Sequence, residues 1–185
     1  MPLRVQSFEV IINPQNLTQM RGLEVPQYLI AYIISNAVAV VLLLLAWKQP
    51  RIARVSFSVL FIWACYTNWH VALTKPDDYL FYGNLTFSSA YRDFIHGWFS
   101  NHIPQMVGFI ATCQGLIAVS FFLKGWIYNV GIVGAILFLL AIAPLGVGSG
   151  FPCTVIMAAA VYILGRKSPD YLWHKHHEEK IIAAY

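Results

Sequence analysis

Residues 27–47 read QYLIAYIISNAVAVVLLLLAW, and this stretch decides the fold. A helix needs about 20 consecutive apolar residues to cross the hydrocarbon core of a bilayer. The run supplies them, with Asn36 as its only strongly polar interior residue. Lys48, Pro50, Arg51 and Arg54 mark its end. Further apolar stretches follow at residues 55–73, 103–123, 126–144 and 152–164. Pro104 opens the first turn of the third span, and Lys124-Gly125 closes it. Residues 145–152, LGVGSGFP, hold three glycines and a proline, the composition of a turn. Residues 152–164 reach only about 20 Å at the helical rise. They either form a short fifth span or one half of a re-entrant hairpin.

The whole composition points the same way. Of 185 residues, 58% are hydrophobic and 11% charged, and the mean hydropathy is +0.61. A soluble domain carries about 25% charged residues. Twelve Lys and Arg cannot hold so much apolar surface in water, so lipid is the expected solvent. The length suits one domain. The net charge of +4 is small and falls near helix ends, which argues against a nucleic-acid footprint. Cys65, Cys113 and Cys153 lie in apolar segments without a C-x-x-C pair, so packed thiols are expected rather than a disulfide framework. The start, MPLRVQSFEVIINPQNL, lacks a basic stretch followed by an apolar core, so no signal peptide is expected.

Charge arbitrates the topology. With five spans, Lys48, Arg51, Arg54, Lys124, Arg166, Lys167, Lys175 and Lys180 fall on one side. Arg4, Arg21, Lys75 and Arg92 fall on the other. The positive-inside rule makes the first side cytoplasmic. Residues 1–26 are then an outer tail, residues 27–165 a transmembrane bundle, and residues 166–185 a cytoplasmic tail. A re-entrant last segment reverses the bias and needs the whole bundle inverted. The expected fold is therefore an all-α integral membrane protein of five spans, with four plus a re-entrant segment as the alternative.

Residues 74–101 form a long outer segment dense in aromatics. Tyr91, Phe94, Ile95, Trp98 and Phe99 follow the i, i+3, i+4, i+7, i+8 pattern of one helix face. Arg92, Asp93 and His96 fall opposite, and Ser89 is a candidate cap. The pattern predicts an amphipathic helix over 89–100, either lying at the outer interface or folded as a lid over the bundle mouth.

Helices associate in lipid through small residues and polar contacts. Ala31, Ser35 and Ala39 recur every four residues in span one, as do Ala64, Asn68 and Ala72 in span two. Gly108, Ala111, Gly115 and Ala118 make one face of span three, and Gly131, Gly134 and Ala135 line span four. Asn36 and Gln114 fall near mid-membrane depth and are expected to hydrogen-bond between helices.

No hydrolase elbow, phosphate loop or zinc spacing is present. No Asp, Glu, Lys or Arg falls inside a span as bounded above, which argues against a proton-driven pump or ion transporter. The histidines define the candidate site. His70 closes span two on the outer side, His102 precedes span three, and His96 rides the amphipathic helix. With Asn68, Trp69, Tyr91 and Trp98 they are the candidate cofactor-binding set, for a quinone or a haem. An isolated interface histidine is more often a hydrogen-bonded structural residue. His174, His176 and His177 form a cluster in the tail that reads as solvated rather than metal-binding. Asn16 and Asn84 each open an N-x-T sequon on the outer side.

From residue 107 to 166 the chain resembles the DoxX-like family of small bacterial membrane proteins. The resemblance rests on GFIATCQGLIAVSFFLKG, on WIYNVGIVGAILFLLAIAPLG and on the last span before GRKSPD. FSVLFIWACYTNW is similar to that family's first helix. The family often has Glu where this chain has Gln114, and residues 27–47 are an additional N-terminal span. The resemblance implies a four-helix core in a bacterial inner membrane. It also implies an accessory role beside membrane redox enzymes, including thiosulfate–quinone oxidoreductase subunits. The leading expectation is thus a non-catalytic subunit of a membrane redox complex, with the lipid bilayer and other membrane subunits as partners. The alternative is a quinone- or haem-binding oxidoreductase subunit with an outer site. A small-molecule carrier is a third option, weakened by the missing intramembrane charges and the lack of internal repeats.

Overall fold

A computed structural model describes residues 26–167, together with Leu23. The tail residues Arg4, Arg21, Asn16, His174, His176 and His177, with Lys175 and Lys180, lie outside the described residues. Every regular element among the described residues is a helix. Five are long: α1 (Pro26–Lys48), α2 (Pro50–Thr74), and three that follow the long outer segment. That segment holds a 3₁₀ turn (Pro76–Phe81), α3 (Tyr82–Leu85), α4 (Ser89–His96) and a second 3₁₀ turn (Phe99–Asn101). Then come α5 (Ile103–Ser120), α6 (Gly125–Ile142), a third 3₁₀ segment (Ala143–Ser149) and α7 (Cys153–Gly165).

The long helices close into a ring in the order α1, α2, α5, α6, α7 and back to α1. Small residues set the spacing, because a Cβ or larger group at these points meets a neighbour at once. Gly108 lies under the Trp69 indole, where an added Cβ stands 2.8 Å from the ring. A Cβ on Gly115 would stand 3.2 Å from the Cys65 Sγ. Ala111 and Ala135 are fully buried. Gly131 of α6 faces Ser120 of α5, with room for hydrogen only. Ala31, by contrast, faces outward.

Polar contacts join the same helices. The Asn36 amide nitrogen donates to the Gly150 carbonyl at 3.1 Å, across from α1 to the start of α7. The Ser58 hydroxyl donates to the Ala118 carbonyl at 2.8 Å. Asn68 Nδ2 donates to Gln114 Oε1 at 2.8 Å. Inside the ring, Phe57, Phe61, Phe121 and Tyr128 are all buried, with Phe121 stacked on Phe57, tilted against Phe61 and edge-on to Tyr128.

Two boundaries differ from the sequence reading in a way that matters. The second helix starts at Pro50, not at residue 55, because proline suits a first helical turn and nothing in 51–54 breaks the helix. That places Arg54 inside the bundle, 5% exposed, and corrects the expectation of spans without interior charge. Its Nε donates to the Phe121 carbonyl at 3.0 Å and a terminal nitrogen to the Leu123 carbonyl at 2.8 Å. These are carbonyls that the end of α5 leaves without helical partners. The cation also suits the negative end of the helix dipole. Its guanidinium lies 4.3 Å from the centre of the Tyr128 ring, whose hydroxyl donates to the Leu164 carbonyl at 3.0 Å. One side chain thus gathers the ends of α5, α6 and α7.

The second difference is in α4, which stops at His96 rather than running to residue 100. Gly97 closes it, its N–H bonded to the Asp93 carbonyl, in a backbone conformation outside the helical region. The cap is Ser88, not Ser89, its Oγ accepting from the Tyr91 N–H at 3.4 Å.

The last helix is short because the chain enters the ring before α7 begins. Gly150 meets Ser35 and Asn36, well along α1. At the other end the Lys167 ammonium donates to the Trp47 carbonyl at 2.9 Å, so α7 ends level with α1. The space above α7 is filled by α3 and the loop after it. Gly146, at φ 65°, approaches the Leu85 carbonyl so closely that a Cβ would stand 2.8 Å from it. Thr86, fully buried, donates to the Pro144 carbonyl.

The outer surface is apolar. Only Ala39, Leu42 and Ala46 of α1 are buried, a narrow stripe flanked by the half-buried Ser35, Asn36, Leu43 and Leu45, and most of the remaining residues face outward. On α2 the exposed Val55, Val59, Ile62, Tyr66, Trp69 and Leu73 alternate by three and four along one face. Soluble monomers do not expose apolar surface on this scale. Three helices are long and apolar enough to cross a membrane: Pro26–Lys48, Ile103–Ser120 and Gly125–Ser149, the last including the 3₁₀ segment. Cys153–Gly165 is apolar but shorter.

Candidate functional site

A pocket of about 640 Å³ opens at the end of the ring opposite Arg54. Its roof is α4, through Ala90, Tyr91, Phe94 and Ile95. One wall is the start of α5, at Met106, Val107 and Ile110. The other is the end of α6, at Phe138, Ala141 and Ile142. Asn68, Tyr79 and Tyr82 close it from the side of α2, the first 3₁₀ turn and α3. The roof is held at both edges. Ile95 and Phe99 bury themselves against Ala72, Ile103 and Val107. The Tyr91 hydroxyl donates to the Ala141 carbonyl at 2.6 Å, where α6 is losing its helical pattern.

The lining is almost wholly apolar, with one polar pole. The Tyr79 hydroxyl donates to Asn68 Oδ1 at 2.9 Å, and Asn68 Nδ2 donates in turn to Gln114 Oε1. Gln114 is 2% exposed. Burial, with Tyr82 and Asp78 nearby, pushes the Tyr79 hydroxyl up to about 12. It therefore remains a neutral donor at every physiological pH. Tyr82 is pushed up too, chiefly by burial.

Of the candidate residues, the structure brings Asn68 and Tyr91 to this pocket. Trp69 sits instead on Gly108, between α2 and α5. Trp98 lies outside the roof, 56% exposed, stacked on His102 at 4.3 Å between ring centres. His102 also has Nδ1 2.9 Å from the Trp98 carbonyl. His70 stacks on Tyr66 on the outward side of α2. His96 is exposed and packs over Gly83 of α3. None of the three histidines lines the pocket, because each is held by a neighbour on the outside of the helix or loop that carries it. No group of three or more His, Cys, Asp or Glu stands close enough to hold a metal among the described residues.

Sequence reasoning missed Tyr79, Tyr82 and the α6 wall as site residues. Periodicity could not single out Phe138, Ala141 and Ile142, since lipid-facing and pocket-facing residues of a membrane helix are equally apolar. Tyr79 and Tyr82 did carry a signal, as tyrosines one turn apart immediately after a span.

Fold and pocket together define an all-helical chain consistent with an integral membrane protein, hollowed at one end beneath a short cross-helix. Compared with protein-family models, with curated proteins and with solved structures, the chain finds no match.

Proposed function

We propose that this is a five-span membrane protein that holds an apolar small molecule in the pocket beneath α4. The observation that carries the reading is the combination of 640 Å³ of apolar space with a single hydrogen-bonding pole. Small-molecule sites are generally built this way, with apolar walls and a few directed polar groups. The chemistry suits a quinone ring or the upper part of a lipid better than a haem, since no histidine lines the cavity. We take the protein to act as a non-catalytic accessory subunit beside a membrane redox enzyme in a bacterial inner membrane. That part rests on the DoxX-like resemblance of residues 107–166.

Five crossings are supported by helix direction. The partners of Ser58 and Asn68 make α2 and α5 antiparallel, Tyr128 ties the start of α6 to the end of α7, and the partners of Asn36 and Lys167 make α1 and α7 parallel, as the first and fifth of five alternating spans must be. Among the described residues Lys48, Arg51, Arg54, Lys124, Arg166 and Lys167 gather at that basic end, against Lys75 and Arg92 in the segment at the pocket end. The positive-inside rule then makes the basic end cytoplasmic, the pocket outer and the N-terminus external. With Cys65, Cys113 and Cys153 replaced by alanine, Ser89→Cys should react with an impermeant maleimide in intact cells, and Lys124→Cys only after lysis. Reaction of Lys124→Cys in intact cells overturns the orientation.

Ala90 tests the pocket directly, because it lines the cavity from the exposed roof and belongs to neither buried core. Ala90→Trp should fill the cavity without unfolding the ring. Native mass spectrometry of the protein from mild detergent should then lose at least nine-tenths of the apolar adduct that the parent chain carries. An adduct retained in full by a folded Ala90→Trp protein rejects this site.

A further inference from the structure

Helices α5 and α6 form an antiparallel hairpin that is tight at one end and open at the other. At the tight end Gly131 meets Ser120, and one turn further on a Cβ on Gly134 would stand 3.5 Å from the Ile117 side chain. Carried on at the same steps of three and four, the facing stripes run through Cys113, Ile110 and Met106 on α5 and through Phe138 and Ala141 on α6. Met106, Ile110, Phe138 and Ala141 all line the cavity, so the gap between the two stripes is part of the pocket. Phe138 turns inward, its ring centre 6.0 Å from that of Phe61. Above the gap α4 and the turn after it hold the two helices apart. Ile95 and Phe99 pack on Ile103 and Val107 of α5, and the Tyr91 hydroxyl reaches the Ala141 carbonyl of α6. Exposure shows which way the gap faces. Of the residues that line the cavity, Ala90, Phe94 and Ala141 are exposed, while Ile95, Phe99 and Val107 are buried. The first three mark a mouth and the last three its interior. Beside the mouth Phe109 and Leu137 are 70% and 64% exposed, on the face that meets lipid.

We infer that the pocket is entered sideways from the bilayer, between α5 and α6 beneath α4, and that its occupant is the long hydrocarbon chain of a membrane lipid. This rests on the reading that the pocket beneath α4 binds a ligand, and adds the route and the class of molecule that takes it. A chain that slides from lipid into the gap passes from one apolar medium to another, so it sheds no water. Its gain is packing, because the walls of an empty space lack contact partners and an apolar void admits hydrocarbon. The rim suits lipid as well. The Ala141 carbonyl, near the end of α6, is met by Tyr91 rather than left bare where no water can bond it. Among the described residues no charged side chain lines the cavity, so a charged headgroup finds nothing to pair with inside and stays at the membrane surface.

The test places the full chain in nanodiscs of phosphatidylglycerol and phosphatidylethanolamine, with some of the phosphatidylglycerol carrying a diazirine in one acyl chain. Illumination followed by peptide mass spectrometry maps the residues that the chain touches. Phe109 and Leu137 face lipid whatever the pocket holds, and their label is the reference. Label on Val107 and Phe138 as well is the expected result, since Val107, 4% exposed, is out of reach of lipid except through the mouth. Ile110→Trp, which narrows the gap from α5, should cut this deep label about tenfold against the reference, the effect of one overpacking penalty. If that variant fails to fold, the map of the parent chain still decides. Label confined to the outward residues, together with a native adduct that Ala90→Trp removes, overturns the lateral route while the pocket reading stands. Neither deep label nor adduct overturns both. A prenyl quinone added to the discs tells the two sources of chain apart. Loss of the deep label makes the quinone's tail the occupant, and its persistence makes the phospholipid's acyl chain the occupant.

Discussion

Replacing Gly131 by alanine should force α5 and α6 apart and give one of the two largest losses of stability among single substitutions considered. A Cβ at that position would stand 2.5 Å from the Ser120 Cβ and closer still to its hydroxyl. Ser120 cannot step aside, since it is 4% exposed and its hydroxyl is bonded to the Ile117 carbonyl at 2.6 Å. Overpacking of this kind costs about 3 kcal/mol at the upper end of its usual range, or roughly 6–12 °C in melting temperature for a chain of this size. The compensation pattern is the sharper test. Ser120→Gly in the same chain should restore most of the loss, because it removes both clashing atoms. Ser120→Ala should restore little, because the Cβ remains. Thermal unfolding in detergent, followed by tryptophan fluorescence, reads all of these. A Gly131→Ala protein that melts with the parent means that the two helices do not approach as described.

Arg54→Met should be comparably damaging, for a different reason. Methionine nearly matches the volume but leaves the Phe121 and Leu123 carbonyls without the donors that now meet them. Unpaired buried polar groups cost about 1–3 kcal/mol each, so a loss of about 4 kcal/mol is expected. It also removes the cation over the Tyr128 ring. Arg54→Lys should recover only part of this. The ammonium keeps the favourable charge at the helix end, but it lacks the planar fork that reaches two carbonyls at once. Equal melting temperatures for Arg54→Lys and the parent would show that charge alone matters and that the two bonds do not.

These two positions also show what the sequence could and could not disclose. Gly131 was legible, because small residues at helical spacing in an apolar run have few other uses. Gln114 was legible for a related reason, as an isolated amide at mid-depth needs a partner, and Asn68 is that partner. The ends of α1 and α7 fell within one residue of expectation, since Pro26, Lys48 and Gly165 punctuate them. Arg54 was not legible. In sequence it belongs to a cluster of charges at a span end, and only the arrival of α5 from more than 60 residues away gives it carbonyls to meet.

The histidines failed as a guide to the pocket for a physical reason too. Near a membrane surface an imidazole has many ways to satisfy itself locally. His102 does so against Trp98 and its carbonyl, one turn away. The cavity is instead made by what the helices leave unfilled, and a void has no residue type of its own. The amphipathic pattern of residues 91–99 announced a helix but left open whether it would lie at the interface or fold over the bundle mouth. It could not say where the helix would break, because Gly97 is a stop only once its N–H finds the Asp93 carbonyl.

The packed rings of Phe57, Phe61, Phe121 and Tyr128 have a consequence for sidedness. Their contacts run from Phe138, which lines the pocket, through Phe61, Phe121 and Tyr128 to Arg54 at the basic end, and all four of the packed rings are buried to within 1%. The hollow is therefore a cul-de-sac. On the proposed reading, whatever occupies the pocket arrives and leaves on the pocket side, with packed rings closing the way toward the basic end.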